Sequence, residues 1–257
     1  MPVPEVPETF PAATTDEPTT GELVAVARTR VFFGHQSVGT DLLAGVDKIF
    51  RTRGVPAPPV QRNRLAPDTP AGAIVHSFLG RNDDPRSKVE DFAARLRAGV
   101  AEEVEIAMMK FCYIDIRADS DVDTVFTSYR DTMTALERDY PQVRFVACTV
   151  PLMTEPLLTT RIKSALTGST RFGPAENAAR ERLNTLIREF YPDRHLFDIA
   201  AVESTGPDGT RVSGDTNGER YFALHRDYAR DNGHPNAEGS RRMAAVWLKL
   251  VARLSAT

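Results

Sequence analysis

Ser37 is the residue of this chain whose surroundings best suit a nucleophile. It lies in the segment 34–39, which reads GHQSVG and follows the short apolar run at 30–33. A serine at a strand-to-helix turn exposes its hydroxyl, and its own N–H points into the same space near the helix N-terminus. The segment therefore predicts a nucleophile and an oxyanion donor in one residue; the alternative is a serine that only caps the helix. A phosphate-binding loop fits poorly because no lysine follows Gly39.

The acid and base that such a nucleophile needs are predicted near the other end of the chain. Asp231 precedes His234 in the segment 231–236, which reads DNGHPN. A hydroxyl is a weak nucleophile until a base takes its proton, and that base must be held in one tautomer. In a turn stiffened by Gly233 and Pro235, the aspartate can reach the far nitrogen of the imidazole. The alternative is a plain surface turn, but its late position in a chain whose first strand ends at a serine favours the catalytic interpretation.

The elements that must position these residues follow a repeating pattern of short apolar strands and amphipathic helices. This alternation predicts an α/β domain with about five parallel strands and helices on both faces of the sheet. Ligands of such sheets bind beyond the carboxyl ends of the strands, so the residues that follow each strand are the candidates for a site. The predicted strands lie at 30–33, 60–64, 105–114, 143–150 and 195–199, and the predicted helices at 40–53, 87–98, 121–139, 174–191 and 236–254.

The composition indicates how the chain is organised into domains. It has 257 residues, and 41% of them are hydrophobic, which is enough for one large core. We expect residues 22–257 to form a single domain behind a flexible leader at 1–21 that is rich in Pro, Thr and Glu. The leader lacks the basic and apolar regions of a signal peptide. The sequence as written therefore predicts a cytoplasmic protein, or a secreted one if a signal peptide was trimmed.

The charge, the hydropathy and the cysteines exclude several kinds of partner and site. A net charge of −3 gives no bulk attraction for nucleic acid. No apolar run approaches the roughly 18 residues that a membrane-spanning helix needs. Cys112 and Cys148 stand in apolar, strand-like runs without a CxxC pair, which predicts buried thiols rather than a zinc site or a disulfide framework. A buried thiol yields little thiolate, so Cys112 is a weaker candidate nucleophile than Ser37.

The two end motifs resemble those of the SGNH, or GDSL, hydrolase superfamily. The resemblance rests on GHQS at 34–37 and on DNGH at 231–234, and in the order of elements it covers about residues 30–254. It implies a three-layer α/β/α, flavodoxin-like fold and a triad of Ser37, His234 and Asp231. The implied activity is hydrolysis of esters of lipids, carbohydrates or related acyl compounds. The implied partner is a small-molecule or glycan ester, and no metal ion or organic cofactor is required.

The residues between the two ends depart from the superfamily's pattern. Gly80, in the sequence LGRN at 79–82, is the natural match to its oxyanion glycine. The place of its GxND block reads KFCYID at 110–115, with neither glycine nor asparagine. We therefore expect the oxyanion hole to consist of the N–H groups of Ser37 and Gly80 with the side chain of Asn82. The residues expected to contact the substrate are His35, Gln36, Lys110 and Tyr113.

Two loops and one helix face complete the expectations. The segments 152–173 and 205–218 carry residues typical of loops, and we expect them to shape the choice of substrate. The segment 177–184 lies in a predicted helix, and we expect most of its charged side chains to be exposed to solvent.

Three functions remain open at this level. The first is a serine ester hydrolase. The unmatched GxND block motivates the second, a catalytically impaired module of the same fold that binds a glycan. The third is a metal-dependent phosphoesterase that would use His35, Asp115, Asp231 and His234.

Overall fold

A parallel sheet forms the centre of the computed structural model, which describes residues 16–66, 68–69, 71–156 and 173–256. Its strands are β1 (Arg30–His35), β2 (Val60–Arg62), β3 (Ala73–Phe78), β4 (Ile106–Met109), β5 (Arg144–Cys148) and β6 (Leu196–Phe197). They are arranged in the order β2-β3-β1-β4-β5-β6, and each neighbouring pair is parallel. Without the short edge strand β2, this is the 2-1-3-4-5 order of flavodoxin-like sheets.

Helices cover both faces of the sheet. One face carries α1 (Thr20–Val26), α2 (Ser37–Thr52), α6 (Ile199–Ser204) and α7 (Ala237–Ser255). The other carries α3 (Pro85–Arg97), α4 (Val122–Asp139) and α5 (Pro174–Phe190). A separate antiparallel hairpin consists of β7 (Ser213–Thr216) and β8 (Glu219–Phe222). The prediction of a three-layer α/β fold is confirmed.

The central strands β1, β4 and β5 are mostly apolar because each is buried on both sides. In β1, Val31 and Phe33 pack toward α2 and α7, whereas Phe32 packs toward α3. Where α2 and α7 cross, a Cβ at Gly45 would lie 2.4 Å from the carbonyl oxygen of Ser240, so the glycine permits a close approach. This packing fixes the N-terminal ends of α2 and α7 relative to each other, and those ends follow the two sequence motifs.

The structure corrects the predicted sheet in two respects. Within the described residues the sheet has six strands rather than about five, because residues 73–78, which are not among the predicted strands, form β3 beside β1. The predicted strand at 105–114 ends at Met109. Beyond it the chain turns into a 3-10 helix at Tyr113–Asp115, where the carboxylate of Asp115 accepts the N–H of Cys112.

Several helix and loop boundaries also differ from the prediction. Helix α2 begins at Ser37 and not at residue 40. The loop at 205–218 contains β7, and α1 begins at Thr20, within the predicted leader. Thr19 caps α1 with a capping box to Glu22, which explains a helix start in a Thr-rich stretch. Most of the leader (1–15) and of the segment 152–173 (157–172) lies outside the described residues.

Candidate active site

The turn that carries Ser37 is held by hydrogen bonds on both sides. His35 Nδ1 lies 2.6 Å from the carbonyl oxygen of Gln36, and Gln36 Nε2 donates to the carbonyl oxygen of Leu79 at 2.6 Å. A Cβ at Gly39 would lie 2.3 Å from the ring of His35. Gly39, which has no side chain, therefore leaves room for this ring to pack against α2. Ser37 itself is exposed at the start of α2.

The carboxylate of Asp231 organises the segment that carries His234, and we refer to residues 228–236 as the acid–base arm. Its Oδ1 accepts the N–H groups of Gly233 and His234, both at 2.9 Å. The N–H of Asn236 donates to the carbonyl oxygen of Tyr228 at 2.7 Å, and the side chain of Asn236 caps α7. The spacing of DxxH therefore lets one carboxylate bind both the backbone and the ring of the same histidine.

Ser37, His234 and Asp231 lie in the order that proton transfer requires. His234 Nε2 is 2.9 Å from Ser37 Oγ, and His234 Nδ1 is 3.0 Å from each carboxylate oxygen of Asp231. A carboxylate only accepts hydrogen bonds, so Nδ1 carries the ring proton and Nε2 is left to accept the serine hydroxyl. This arrangement can remove a proton from Ser37 without any movement of the backbone.

The electrostatics of Asp231 suit this arrangement. Desolvation alone would raise the pKa of its carboxyl group. Hydrogen bonds from the backbone of Gly233 and from His234 outweigh that effect, so the pKa of Asp231 lies below its ordinary value. The aspartate is therefore charged near neutral pH, where it stabilises the imidazolium that forms when His234 takes a proton.

Two contacts that the sequence did not predict connect the acid–base arm to its surroundings. Arg230 pairs with Asp41 of α2 at 2.9 Å, one turn beyond Ser37. On the other side, the N–H of Thr154 donates to the carbonyl oxygen of Asn232 at 2.9 Å. Neither pair has a local sequence signal, because their members are far apart along the chain.

The N-terminus of α2 presents backbone donors beside the serine. Gln36 at the N-cap makes no side-chain hydrogen bond to the first turn, and that turn has no acidic residue. The first N–H groups of a helix have no partner within the helix, and the helix dipole favours negative charge at this end. These features agree with the predicted use of the Ser37 N–H as an oxyanion donor.

The loop after β3 does not provide the second predicted donor in the expected form. The N–H of Gly80 donates to Asp91 Oδ2 at 3.0 Å, so it does not face an oxyanion in this structure. The glycine is required for the backbone, since its φ is +45° and a Cβ would lie 2.6 Å from Ser87. Gly80 is therefore better explained by the shape of the loop. Asn82 is exposed, and its Oδ1 accepts from Lys88 Nζ at 3.0 Å.

A buried ion pair anchors the same loop to the turn after β4. Lys88 Nζ lies 2.6 Å from Asp115 Oδ2, and both side chains are fully buried. The other carboxylate oxygen of Asp115 accepts the N–H of Asp83 at 2.9 Å. Asp115 therefore holds two neighbouring post-strand segments together, which is a structural role.

Two of the four predicted substrate contacts are wrong because the side chains are inside the protein. His35 is fully buried, and its Nε2 lies 3.0 Å from Nδ1 of His76; burial lowers the pKa of His35 to about 3. Lys110 is also buried, donates to the carbonyl oxygen of Phe111, and has a pKa lowered by desolvation. Both side chains lie on the face of the sheet that α2 covers, beneath the candidate site rather than at its surface.

The other two predicted contacts lie at the site. Gln36 is half-buried, and its amide group is engaged with Leu79 as described above. Tyr113 is half-buried, and its ring meets the ring of His234 edge-on, with centroids 5.5 Å apart and an interplanar angle of 82°.

The polar face of α5 is buried. Contrary to the prediction that most charges at 177–184 are solvated, Arg180 and Glu181 are buried, while Arg182 is exposed. Asn184 accepts the N–H of Val150 at 2.6 Å and donates to its carbonyl oxygen at 3.1 Å. Asn177 does the same for Met153, at 3.1 and 2.8 Å. The two amides lie two helical turns apart. They bind the backbone N–H and C=O groups of the segment after β5 as a neighbouring strand would. The spacing of the two asparagines was the available signal, since it places both on one helix face.

The metal-dependent phosphoesterase and a Cys112 nucleophile find little support in this geometry. No group of three or more His, Cys, Asp or Glu side chains within the described ranges is arranged to hold a metal ion. Of the proposed metal ligands, His35 is bonded to His76 and Asp115 to Lys88. Cys112 and Cys148 are both buried and make no disulfide. None of the helices described has the length and apolar character needed to span a bilayer.

Comparisons with known proteins give similarities in structure only. No model of a known protein family matches the sequence, and no curated protein matches it. Among solved structures, a candidate GDSL-like lipase from Parabacteroides merdae is 13% identical with a TM-score of 0.47, covering 88% of this chain and 96% of that one. A candidate SGNH hydrolase from Slackia heliotrinireducens is 13% identical with a TM-score of 0.47, covering 86% and 97%. The periplasmic domain of a lipopolysaccharide acetyltransferase from Salmonella ser. Paratyphi A is 14% identical with a TM-score of 0.46, covering 84% and 80%.

Proposed function

We propose that this protein is a serine hydrolase that cleaves carboxylic esters, with a carbohydrate or lipid O-acyl ester as the substrate class. The observation that carries the proposal is the pair of short distances at His234, 2.9 Å to Ser37 Oγ and 3.0 Å to the carboxylate of Asp231. A helix-capping serine would have no need of a base that is itself oriented by a carboxylate.

The reaction follows from the three side chains. Ser37 Oγ attacks the ester carbonyl carbon while its proton passes to His234 Nε2, and the carbonyl oxygen becomes an oxyanion. The tetrahedral intermediate collapses, and the leaving alkoxide takes the proton from His234. A water molecule then gives a proton to His234 and attacks the acyl carbon. The bond to Ser37 Oγ breaks, Ser37 takes the proton back from His234, and the acid is released. No metal ion or organic cofactor is needed for these steps.

The oxyanion is stabilised by the N–H of Ser37 at the start of α2 and by the side-chain amide of Asn82. Lys88 binds Oδ1 of Asn82, so the amide nitrogen of the same side chain is the group that would donate to the oxyanion. The N–H of Gly80 is left out of this proposal because Asp91 occupies it.

The test is the reaction of Ser37 with a fluorophosphonate probe and with short p-nitrophenyl esters. We expect the purified protein to be labelled at Ser37 and to hydrolyse the esters, and Ser37→Ala to lose both reactions. Ser255, at the C-terminal end of α7, provides a matched control, and Ser255→Ala should react like the original protein. Undiminished ester turnover in Ser37→Ala would show that another group performs the chemistry.

A glycan-binding module without catalysis is the second candidate, because the Gly80 N–H is engaged with Asp91. The same experiment separates the two functions. A folded protein that binds acylated glycans but is not labelled by the probe would favour binding.

A further inference from the structure

The ring of Tyr113 packs against both the base and the backbone of the acid–base arm. It meets the imidazole of His234 edge-on at 5.5 Å between centroids. A Cβ added at Gly233 would lie 2.5 Å from Tyr113 Cζ, with two further ring carbons within 2.9 Å. The ring of Tyr113 therefore fills the space that a side chain at position 233 would need. It contacts Gly233 and His234, two consecutive residues of the arm.

Tyr113 is itself fixed by a buried cation. Arg180 of α5 is 1% exposed, and its Nε donates to the carbonyl oxygen of Tyr113 at 2.7 Å. Its guanidinium carbon lies 6.0 Å from the centroid of the Tyr113 ring. Arg180 Nη1 also donates to Asn177 Oδ1 at 2.7 Å, and Asn177 binds Met153.

The same arginine–asparagine pair therefore supports the acid–base arm from two directions. On one side, Arg180 holds Tyr113 against His234. On the other, Asn177 holds Met153, and the next residue, Thr154, donates its N–H to Asn232 within the arm. Burying a guanidinium is costly unless its hydrogen bonds are made, so its contacts to two segments beside the arm indicate a role beyond the packing of α5.

We propose that Tyr113, anchored by Arg180, is a positioning residue that holds the imidazole of His234 in line with Ser37. This inference rests on the proposed function. The aspartate alone leaves the ring free to swing, because the side chain of Asp231 is 53% exposed and bonds the imidazole at one edge only. The edge-on ring blocks that motion. The aromatic ring performs this role, and the phenolic hydroxyl takes no part in it.

The test compares two substitutions that separate the ring from the hydroxyl. Tyr113→Phe keeps the ring, and we expect its fluorophosphonate labelling rate and kcat to stay within about 3-fold of the original. Tyr113→Leu removes the ring, and we expect both rates to fall by about 10- to 100-fold, because small misplacement of a catalytic group costs up to about 10²-fold. KM for p-nitrophenyl esters should change little in either variant, since a positioning residue acts on the chemical step.

Several outcomes would overturn the proposal. Equal losses in Tyr113→Phe and Tyr113→Leu would assign the effect to the hydroxyl, as an oxyanion donor or a substrate contact. A raised KM with unchanged kcat would make Tyr113 a substrate contact. If Tyr113→Leu reacts at the original rate while Ser37→Ala is inert, the positioning role fails and the hydrolase stands. If Ser37→Ala keeps full activity, the proposed function itself fails.

A second substitution keeps the proposal testable if Tyr113→Leu does not fold. Gly233→Ala places a methyl group where the tyrosine ring lies, and we expect it to slow labelling by about 10-fold through the same displacement. Where Tyr113→Leu does fold, combining it with Gly233→Ala should add little further loss, because the two changes disturb one contact. Fully additive losses in a double-mutant cycle would contradict a shared contact.

Discussion

The acid–base arm and the loop after β3 both lie next to the turn that carries Ser37, but they use their polar groups in different ways. In the arm, Asp231 binds His234, and His234 binds Ser37. In the loop, the N–H of Gly80 binds Asp91 and the side-chain oxygen of Asn82 binds Lys88. The polar groups of the arm thus form a chain that ends at Ser37, whereas those of the loop bind residues of α3.

This difference shows that a position next to the turn of Ser37 does not decide the role of a residue. Each polar group must also lack a stronger structural partner. A hydrogen-bond donor that already serves a buried or anchored carboxylate must lose that bond before it can serve a substrate, and the loss costs free energy. The four experiments below test the contrast, beginning with the largest expected effect.

Asp231→Asn should produce the largest loss of activity. The amide cannot hold His234 in the required tautomer, and we expect the rate of ester hydrolysis to fall by about 10⁴-fold. The fluorophosphonate labelling rate should fall in parallel, while circular dichroism shows a folded protein. Asp227→Asn is a control for loss of a nearby charge within the same part of the chain. Loss of less than about 10-fold in Asp231→Asn would place the orienting group elsewhere.

Lys88→Met should reduce the stability of the folded protein. It leaves Asp115 buried without its cation, and breaking a buried pair in this way costs about 3–5 kcal/mol. Urea unfolding should show this loss. The double substitution Lys88→Met with Asp115→Asn should recover part of it, because it no longer leaves a buried charge. A Lys88→Met protein of unchanged stability would contradict the structural role of this pair.

Asn82→Ala tests whether the loop after β3 contributes any chemistry. If its amide stabilises the oxyanion, kcat should fall by about 10²- to 10³-fold with little change in KM. Arg81 is its exposed neighbour, paired with Asp84 at 2.6 Å, and Arg81→Ala should react within about twofold of the original because surface pairs contribute little. A full rate in Asn82→Ala would make the whole loop structural.

Arg230→Ala should have the smallest effect. Its pair with Asp41 joins the acid–base arm to α2, but the arginine side chain is 55% exposed. Exposed pairs contribute about 0.2–1 kcal/mol. We expect a loss of stability in that range and a rate within about 10-fold of the original. A double-mutant cycle with Asp41→Asn isolates the pair, and a coupling free energy near zero would show that it does not hold the arm.

Much of the fold could be predicted from the sequence because most strands of the parallel sheet and the long helices have a local pattern, whereas β3 and the hairpin β7–β8 were not assigned. The apolar run before Ser37 and the asparagine cap of α7 are examples, and both reflect short-range backbone and burial preferences. The short distances around His234 were also foreseeable, since the DxxH spacing brings the carboxylate to the ring within one turn.

The rest of the site depends on contacts between distant parts of the chain. Nothing near Gly80 in the sequence shows that Asp91, one turn and a half into α3, takes its N–H. Arg180 is buried with its Nε bonded to the carbonyl oxygen of Tyr113, 67 residues earlier. A solvated helix face and a buried polar one have the same residue types, so only the packing of α5 on the sheet decides between them.

Ser37 and His234 are 197 residues apart in the chain, and this has a consequence for the biosynthesis of the protein. The serine is synthesised long before its base exists, and the two meet only when α7 docks beside α2. If Ser37 reacts as proposed, a chain in which α7 has not yet docked lacks the base and should not react with esters. The time at which fluorophosphonate labelling begins during refolding would then measure when α7 docks beside α2.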